Sequence, residues 1–349
     1  MAQKKRILRR KFKMILVGLG ILVALLVIAI TIFYFWASSS SIPGNKLSEI
    51  INYPGTTPPP PDLDTFTIMT YNIGYLSGMT NNLPVKTEKE LFDTNKKTFL
   101  QLLDRVKPDI LATQEIDFDS KRSFHVNQPQ AIARDTDLKY TAVAINWDKR
   151  YVPFPYWPPS VHFGKIVSGQ AVLSRWPIVS AERVVLIKPV NKPFFYNALY
   201  LDRLAQVVKI EIGEKTLVVL NVHLEAFDNE TREKQAQRVL DIYGEYKENY
   251  PVILLGDFNC LPPNAKQKKG FSDEPDIDFD GDKTIGIFLA EKSLKPAELE
   301  TVTFPANKPT RKLDYFFYNH EKLTLVKTFA PVIDSSDHLP LVMEFSFSG

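Results

Sequence analysis

The feature that most constrains this chain is an uncharged run of 23 residues, Met14–Trp36, set behind a short end that is all base and no acid. A backbone taken out of water must satisfy its own hydrogen bonds, so an apolar run of this length folds as a helix. At 1.5 Å per residue it reaches roughly 34 Å, enough to cross the hydrocarbon layer with some tilt. Seven Lys and Arg between Lys4 and Lys13 belong on the cytoplasmic side, and the rings of Phe33, Tyr34, Phe35 and Trp36 form an aromatic belt at the far interface. The expectation is a single-pass membrane protein: a cytoplasmic basic segment (1–13), a transmembrane helix (14–36) and an extracytoplasmic remainder. The alternative is a cleaved leader, since Ala37-Ser38-Ser39 offers small residues, although a leader's apolar stretch usually runs only ~7–15 residues.

Residues 37–64 read as a Ser/Pro-rich stalk, in which the run Pro58–Pro61 favours an extended polyproline spacer. No second linker follows, so residues 65–349 are expected to form one domain. Without the first 13 residues the chain carries 36 basic and 40 acidic side chains, so the +3 of the whole belongs to its N-terminus. A single cysteine, Cys260, excludes an intramolecular disulfide framework and a multi-cysteine zinc site, and five histidines make a His-rich metal centre a poor fit.

Most apolar runs in the domain are short and β-branched, among them Phe66–Tyr71, Ile110–Gln114, Thr216–Leu224, Val252–Leu255 and Leu341–Phe347. Their length suits buried strands. Two segments have helical character: Glu88–Val106, stopped by Lys107-Pro108, and Asn229–Tyr246. Many strands and few helices predict an α+β fold of stacked sheets with helices outside.

Polar residues recur at the ends of these runs: Asn72, Glu115, His223, Asp257 with Asn259, Asp314, and Asp337-His338. Each alone is an ordinary turn or strand-end residue. Together they suit attack of water on a phosphate ester. Carboxylate and amide oxygens are hard ligands for Mg²⁺, Mn²⁺ or Ca²⁺, a second carboxylate takes the proton of water, and histidines hold phosphate or move a proton.

The ordered segments Met69-Thr-Tyr-Asn72-Ile-Gly, Gln114-Glu115, Gly169-Gln-Ala-Val-Leu-Ser-Arg175, Asn221-Val-His223-Leu-Glu, Gly256-Asp257-Phe-Asn259, Leu313-Asp314-Tyr315 and Ser336-Asp337-His338-Leu-Pro resemble the endonuclease/exonuclease/phosphatase superfamily, which shares the deoxyribonuclease I-like fold. The resemblance implies a four-layer α/β/β/α sandwich of two mainly antiparallel sheets, with the site at one edge. It implies that Glu115 is the principal metal ligand, with Asn72 and Asp337 beside it, and that Asp257 activates water while Asn259 orients it. His338 backed by Asp314 would face the phosphate, and His223 would stabilise charge on its oxygens. Gln170, Arg175 and Arg203 are candidate substrate contacts.

Two departures weaken a DNA-repair assignment: Ser168-Gly169-Gln170 stands where nucleases carry a tyrosine or glutamate, and Gly74 stands where abasic-site endonucleases carry an acid. The implied activity is divalent-metal-dependent hydrolysis of a phosphodiester, nuclease-type. The alternatives are a phospholipid or small-molecule phosphoesterase and, behind them, a non-catalytic binding module. No protein partner is implied, and a monomer is expected. Asp276-x-Asp278-x-Asp280-Gly281 begins like a calcium loop, but Ile287 stands where the closing glutamate belongs, so a solvated acidic loop is expected. The stretch Trp147–Phe163 sets aromatic rings among prolines, either as ordinary loop packing or as a rim touching substrate or membrane.

Overall fold

Alternation along the strands decides the layering. In β2 (Phe66–Asn72), Phe66 and Ile68 face one side and Met69 and Tyr71 the other, and all four are buried. In β8 (Lys215–His223), Leu217 and Val219 oppose Val218, Leu220 and Val222 in the same way. A strand apolar on both faces must be covered on both. The chain achieves this by stacking two sheets face to face and laying helices on their outer surfaces. The computed structural model describes residues 2–55, 58–59 and 64–348.

The larger sheet has the order β1 (Ser48–Asn52), β4 (Tyr140–Val152), β5 (Gly164–Ser174), β3 (Ile110–Asp117), β2, β13 (Leu341–Phe347) and β12 (Leu323–Phe329). The smaller has the order β10 (Leu294–Pro296), β11 (Asp314–Asn319), β9 (Val252–Asp257), β8, β7 (Leu204–Ile212) and β6 (Ile178–Val185). Each sheet is antiparallel except for one parallel pair, β2 with β3 and β8 with β9. Ile68, Val172, Val219, Leu255, Phe316 and Met343 fill the space between the sheets. Outside the larger sheet, α2 (Lys89–Val106) contributes Phe92, Phe99 and Leu102, and α3 (Gln128–Asp135) contributes Ile132. Outside the smaller, α5 (Asn229–Tyr246) contributes Ala236, Val239 and Tyr243, and α6 (Thr284–Leu289) contributes Phe288. The expected four-layer α/β/β/α sandwich is the observed fold.

Several elements differ from the sequence reading. Strand β4 runs for 13 residues, and its polar Asn146, Asp148 and Lys149 hide it from an apolar-run search; the stretch Trp147–Phe163 therefore begins as strand. Residues 48–52, within the expected stalk, form edge strand β1 against Tyr140–Ala144 of β4. Ile51 and Tyr53 lean onto the core beneath α2. The expected extended spacer at Pro58–Pro61 lies partly outside the described residues. At the N-terminus, α1 (Ala2–Ser38) is one continuous helix, long and apolar enough to cross a membrane.

Toward the end of the sandwich where β3 and β8 finish, the apolar core gives way to buried amides. Gln114 of β3 donates to Asn221 Oδ1 of β8 at 2.6 Å, and Asn221 Nδ2 donates to Gln206 Oε1 at 3.0 Å and to the Thr113 carbonyl at 3.1 Å. Gln170 of β5 donates to the Asn221 carbonyl at 2.8 Å, and Gln206 to the Ala142 carbonyl at 2.9 Å. All but the Asn221–Gln206 bond, which joins β8 to β7, cross from one sheet to the other. Asn221→Ala leaves Gln114, Gln206 and the Thr113 carbonyl short of partners in a dry site, and each orphaned group costs about 1–3 kcal/mol. Urea denaturation should therefore show a loss of about 3 kcal/mol or more; a loss under about 1 kcal/mol would mean the amides do not tie the sheets.

Candidate active site

Both parallel pairs finish at the same edge, and this collects the polar strand ends. Asn72 of β2 sits opposite Gln114 of β3, and His223 of β8 opposite Asp257 of β9. Asp314 opens β11 directly beside Asp257. The register between β3 and β5 breaks between Thr113 and Ile116, and Glu115 adopts a left-handed backbone with φ 51°. A bulge of this kind redirects a side chain that regular pleating would aim elsewhere. Here it turns Glu115 into the cleft while Gln114 keeps its place between the sheets.

Asp257 is the centre of the arrangement and is 1% exposed. Its Oδ2 accepts from Asn72 Nδ2 at 2.9 Å, and its Oδ1 accepts from the Asn259 amide at 2.9 Å. His223 Nε2 lies 3.5 Å and His338 Nε2 3.8 Å from Oδ2. Burial pushes the Asp257 carboxyl up to about 7, with Asp314 adding to the rise and His338 opposing it. Burial alone would lower the His338 imidazole, but the carboxylates of Asp314 and Asp257 outweigh it and hold the ring well above its ordinary value. The protonated ring donates from Nδ1 to Asp314 Oδ2 at 2.9 Å.

His223 is in the opposite state. Burial and the adjacent Arg203 guanidinium push it well below its ordinary value. Arg203 donates from Nη1 to His223 Nε2 at 2.6 Å and from Nη2 to the Tyr200 hydroxyl at 3.2 Å, while its Nε lies 3.5 Å from Glu225. A neutral His223 accepts this bond, so the positive charge on this flank of the cleft belongs to Arg203.

Glu115 and Asp337 lie on the other flank. Asn81 Nδ2 donates to both, to Glu115 Oε2 at 3.1 Å and to Asp337 Oδ2 at 3.1 Å. The two carboxylates are thus within two hydrogen-bond lengths of each other, and His223 Nε2 stands 4.0 Å from Glu115. Burial and the charge of Glu115 push the Asp337 carboxyl up to about 6. Asn81 Oδ1 is buried without a partner. Two crowded carboxylates suit a hard divalent cation, and a flip of the Asn81 amide, whose oxygen has no partner where it stands, would add a third oxygen in place of the N–H that now bridges them. Asp257, Asp314 and His338 also place ligand atoms within 4.8 Å of one another, but a protonated His338 has no free lone pair to give a metal. The fit is better at Glu115, Asp337 and Asn81.

The structure brings together Asn72, Glu115, Arg203, His223, Asp257, Asn259, Asp314, Asp337 and His338. Asn72 is engaged differently from the expectation: its amide holds Asp257, and its Oδ1 accepts from the Gly74 backbone at 3.1 Å. Asn259 uses its Nδ2 on the Leu224 carbonyl at 3.0 Å.

Two expected substrate contacts are elsewhere. Gln170 is fully buried between the sheets and serves the amide network. Arg175 pairs with Asp109 at 2.6 Å, beside the start of β3 rather than its end. Gly74 has a structural reason, since φ is +49° and a Cβ there would come within 2.9 Å of Asp337 Oδ1 and Ser336 Oγ; an acid has no room at that position. Asp276, Asp278 and Asp280 are exposed, with Lys269 paired to Asp280 at 2.6 Å, while Phe279 between them is buried.

Asn81 and Tyr200 are the site residues the sequence did not announce, and Glu225 closes the Asn221-Val-His223-Leu-Glu segment without a role assigned to it there. The cleft holding all of this measures about 430 Å³, and aromatic rings from Tyr75, Trp147, Phe154, Tyr196 and Phe304 form much of its wall.

Comparison with known proteins bears on the fold and the family. A UPF0294 protein of Vibrio campbellii is 31% identical over 158 residues, which are 43% of this chain and 47% of that protein; the chain thus spans about half the length of the curated relatives it matches. In fold the chain is similar to an endonuclease/exonuclease/phosphatase of Beutenbergia cavernae, with TM-score 0.58 and 19% identity over 82% of this chain and 72% of that one. It is similar as well to a mannosyl-6-phosphatase of Bacteroides thetaiotaomicron, with TM-score 0.52 and 16% identity over 81% of this chain and all of that one. The sequence profile of the Endonuclease/Exonuclease/phosphatase family matches residues 69–338, most of the chain, and the protein belongs to that family.

Proposed function

We propose that the protein hydrolyses a phosphodiester with the help of a divalent cation, and that α1 tethers the catalytic domain to a membrane with the N-terminus cytoplasmic and the domain on the far side. The observation that carries the hydrolase reading is the meeting of Asp257, flanked by His223 and His338, with the Glu115–Asp337 pair in one cleft. The tether is supported by the length and apolarity of α1 and by the basic residues confined to its start.

In this reading Glu115 and Asp337 would hold Mg²⁺, Mn²⁺ or Ca²⁺, and Asn81 would join them through its oxygen once its amide flips. When bound, the ion polarises the phosphoryl oxygens and offsets the charge that builds on them. Asp257 takes the proton of the attacking water. Its oxygens are fixed by Asn72 and the Asn259 amide, and a base whose carboxyl is pushed up to about 7 is well matched to neutral pH. The water oxygen bonds to phosphorus, one ester P–O bond breaks, and the leaving oxygen collects a proton from His338, which Asp314 keeps charged. Arg203, pinned by Tyr200, Glu225 and His223, faces the phosphoryl oxygens as a fixed cation.

Asp257→Asn keeps the shape but has one acceptor oxygen for the two N–H groups of Asn72 and the Asn259 backbone, and it cannot take a proton. It should lower kcat by about 10²–10⁴ while still melting cooperatively; turnover near the wild-type rate would remove Asp257 from the chemistry. Binding by the native state alone stabilises it in proportion to RT ln(1 + [L]/Kd), about 2.7 kcal/mol at a hundredfold excess over Kd. Mg²⁺ should therefore raise the melting temperature, chelator should reverse the rise, and Glu115→Gln should abolish it. An equal rise in the variant would place the ion elsewhere.

A further inference from the structure

We infer that the catalytic cleft opens at the bilayer surface and that its substrate is a phosphodiester carried by a membrane amphiphile, a phospholipid headgroup rather than a nucleic acid. The inference rests on the tether and hydrolase readings above and deepens them.

The first support is the absence of slack between α1 and the domain. Ala37 is 2% exposed. Lys149 of β4 donates to the Ser38 carbonyl at 3.0 Å, and the Arg150 amide donates to the Ser39 carbonyl at 3.2 Å. Asp148 accepts from the Ser41 amide at 2.9 Å, the Ser41 hydroxyl at 2.7 Å and the Ile42 amide at 2.8 Å. The Ile145 amide donates to the Leu47 carbonyl at 2.8 Å, and β1 then continues along the same strand. Residues 38–52 are thus strapped along β4, and the domain sits directly at the end of the apolar helix.

The second support is where that end touches. In the last turns of the apolar run, Phe33 meets Tyr151 with ring centroids 5.6 Å apart, and Tyr34 meets Phe194 at 6.4 Å. A spanning helix places its terminal rings in the interfacial layer, so Tyr151 and Phe194 lie at that level. Phe194 opens the short helix α4 (Phe194–Leu199), whose next two residues, Phe195 and Tyr196, line the cleft that holds Glu115, Asp257 and His338. The cleft mouth and the membrane contact are consecutive residues of one helix turn.

The third support is chemical. Around this mouth Tyr156, Trp157, Val190 and Phe194 are each more than two-thirds exposed, an arrangement costly in water and favourable in the headgroup region, where tryptophan and tyrosine accumulate. Among the described residues that line the cleft, Arg203 is the one arginine and there is no lysine. A polynucleotide needs several cations along its track. An aromatic-walled slot whose cations, the Arg203 guanidinium and the His338 imidazolium, lie at its base suits a single phosphodiester with an apolar tail. Hydrolysis forms a P–O bond from water and breaks one ester P–O bond, yielding an alcohol and a phosphomonoester.

The test uses the full chain in vesicles of equimolar phosphatidylcholine and phosphatidylglycerol with Mg²⁺, with soluble bis-(para-nitrophenyl) phosphate and single-stranded DNA as comparison substrates. The wild type should release phosphomonoester or alcohol from the vesicle lipid. The double variant Trp157→Ser, Phe194→Ser should lose the vesicle rate by about tenfold or more, because interfacial seating scales with buried apolar area, while keeping its rate on the soluble diester. Hydrolysis of the soluble diester or DNA with no hydrolysis of lipid would overturn this inference and leave the hydrolase reading standing, as would a variant that keeps its vesicle rate. A wild type inert toward every phosphoester would overturn both.

Discussion

The site depends on two sheets holding their strand ends a fixed distance apart, and a patch of buried amides sets that distance. Glu115 belongs to the larger sheet and Asp257 to the smaller, so no single sheet contains the cleft. Apolar packing between the sheets is non-directional and would tolerate a slide. The bonds from Gln114 to Asn221, from Asn221 to Gln206 and the Thr113 carbonyl, and from Gln170 to the Asn221 backbone are directional and buried. A slide would leave several polar groups unpaired in a dry environment, so the network fixes the register of one sheet on the other.

Above that platform the electrostatics divide the cleft in two. Around Asp257 the carboxylates are balanced by protein groups: the His338 imidazolium paired to Asp314, and the Arg203 guanidinium held among Tyr200, Glu225 and His223. Around Glu115 and Asp337 no cationic side chain donates among the described residues, and the shared Asn81 amide is the donor that bridges them. A charge missing from one half only is what a cation-dependent site would show. Neighbouring histidines in contrary states, His223 pushed down beside an arginine and His338 pushed up beside carboxylates, give the same cleft an acceptor and a donor.

Much of this was legible in the sequence, for reasons the topology makes clear. Asn72, His223 and Asp257 end parallel strands and Glu115 follows the last parallel pair of β2 with β3, so "after an apolar run" and "at the site edge" mean the same thing for them. The rule fails for β5, which is antiparallel to β3: Ser174 lies opposite Ile110, so Arg175 emerges at the far edge. Gln170 fails for a different reason, because its face of β5 points between the sheets. Asn81 and Tyr200 reach the cleft through loops and α4, whose positions depend on tertiary contacts with no periodic signature. The stalk reading of residues 37–64 rested on composition; pairing of β1 with β4 and the grip of Asp148 on Ser41 and Ile42 depend on partners a hundred residues away.

The account's central claim is that one hard cation sits between Glu115 and Asp337, beside Asp257. Anomalous diffraction from crystals soaked in Mn²⁺ tests it most directly. The account requires a peak bounded by the Glu115 and Asp337 carboxylates, with the Asn81 amide turned to present its oxygen. A peak instead among Asp257, Asp314 and His338, or confined to the exposed acids of the Asp276–Asp280 loop, would contradict it.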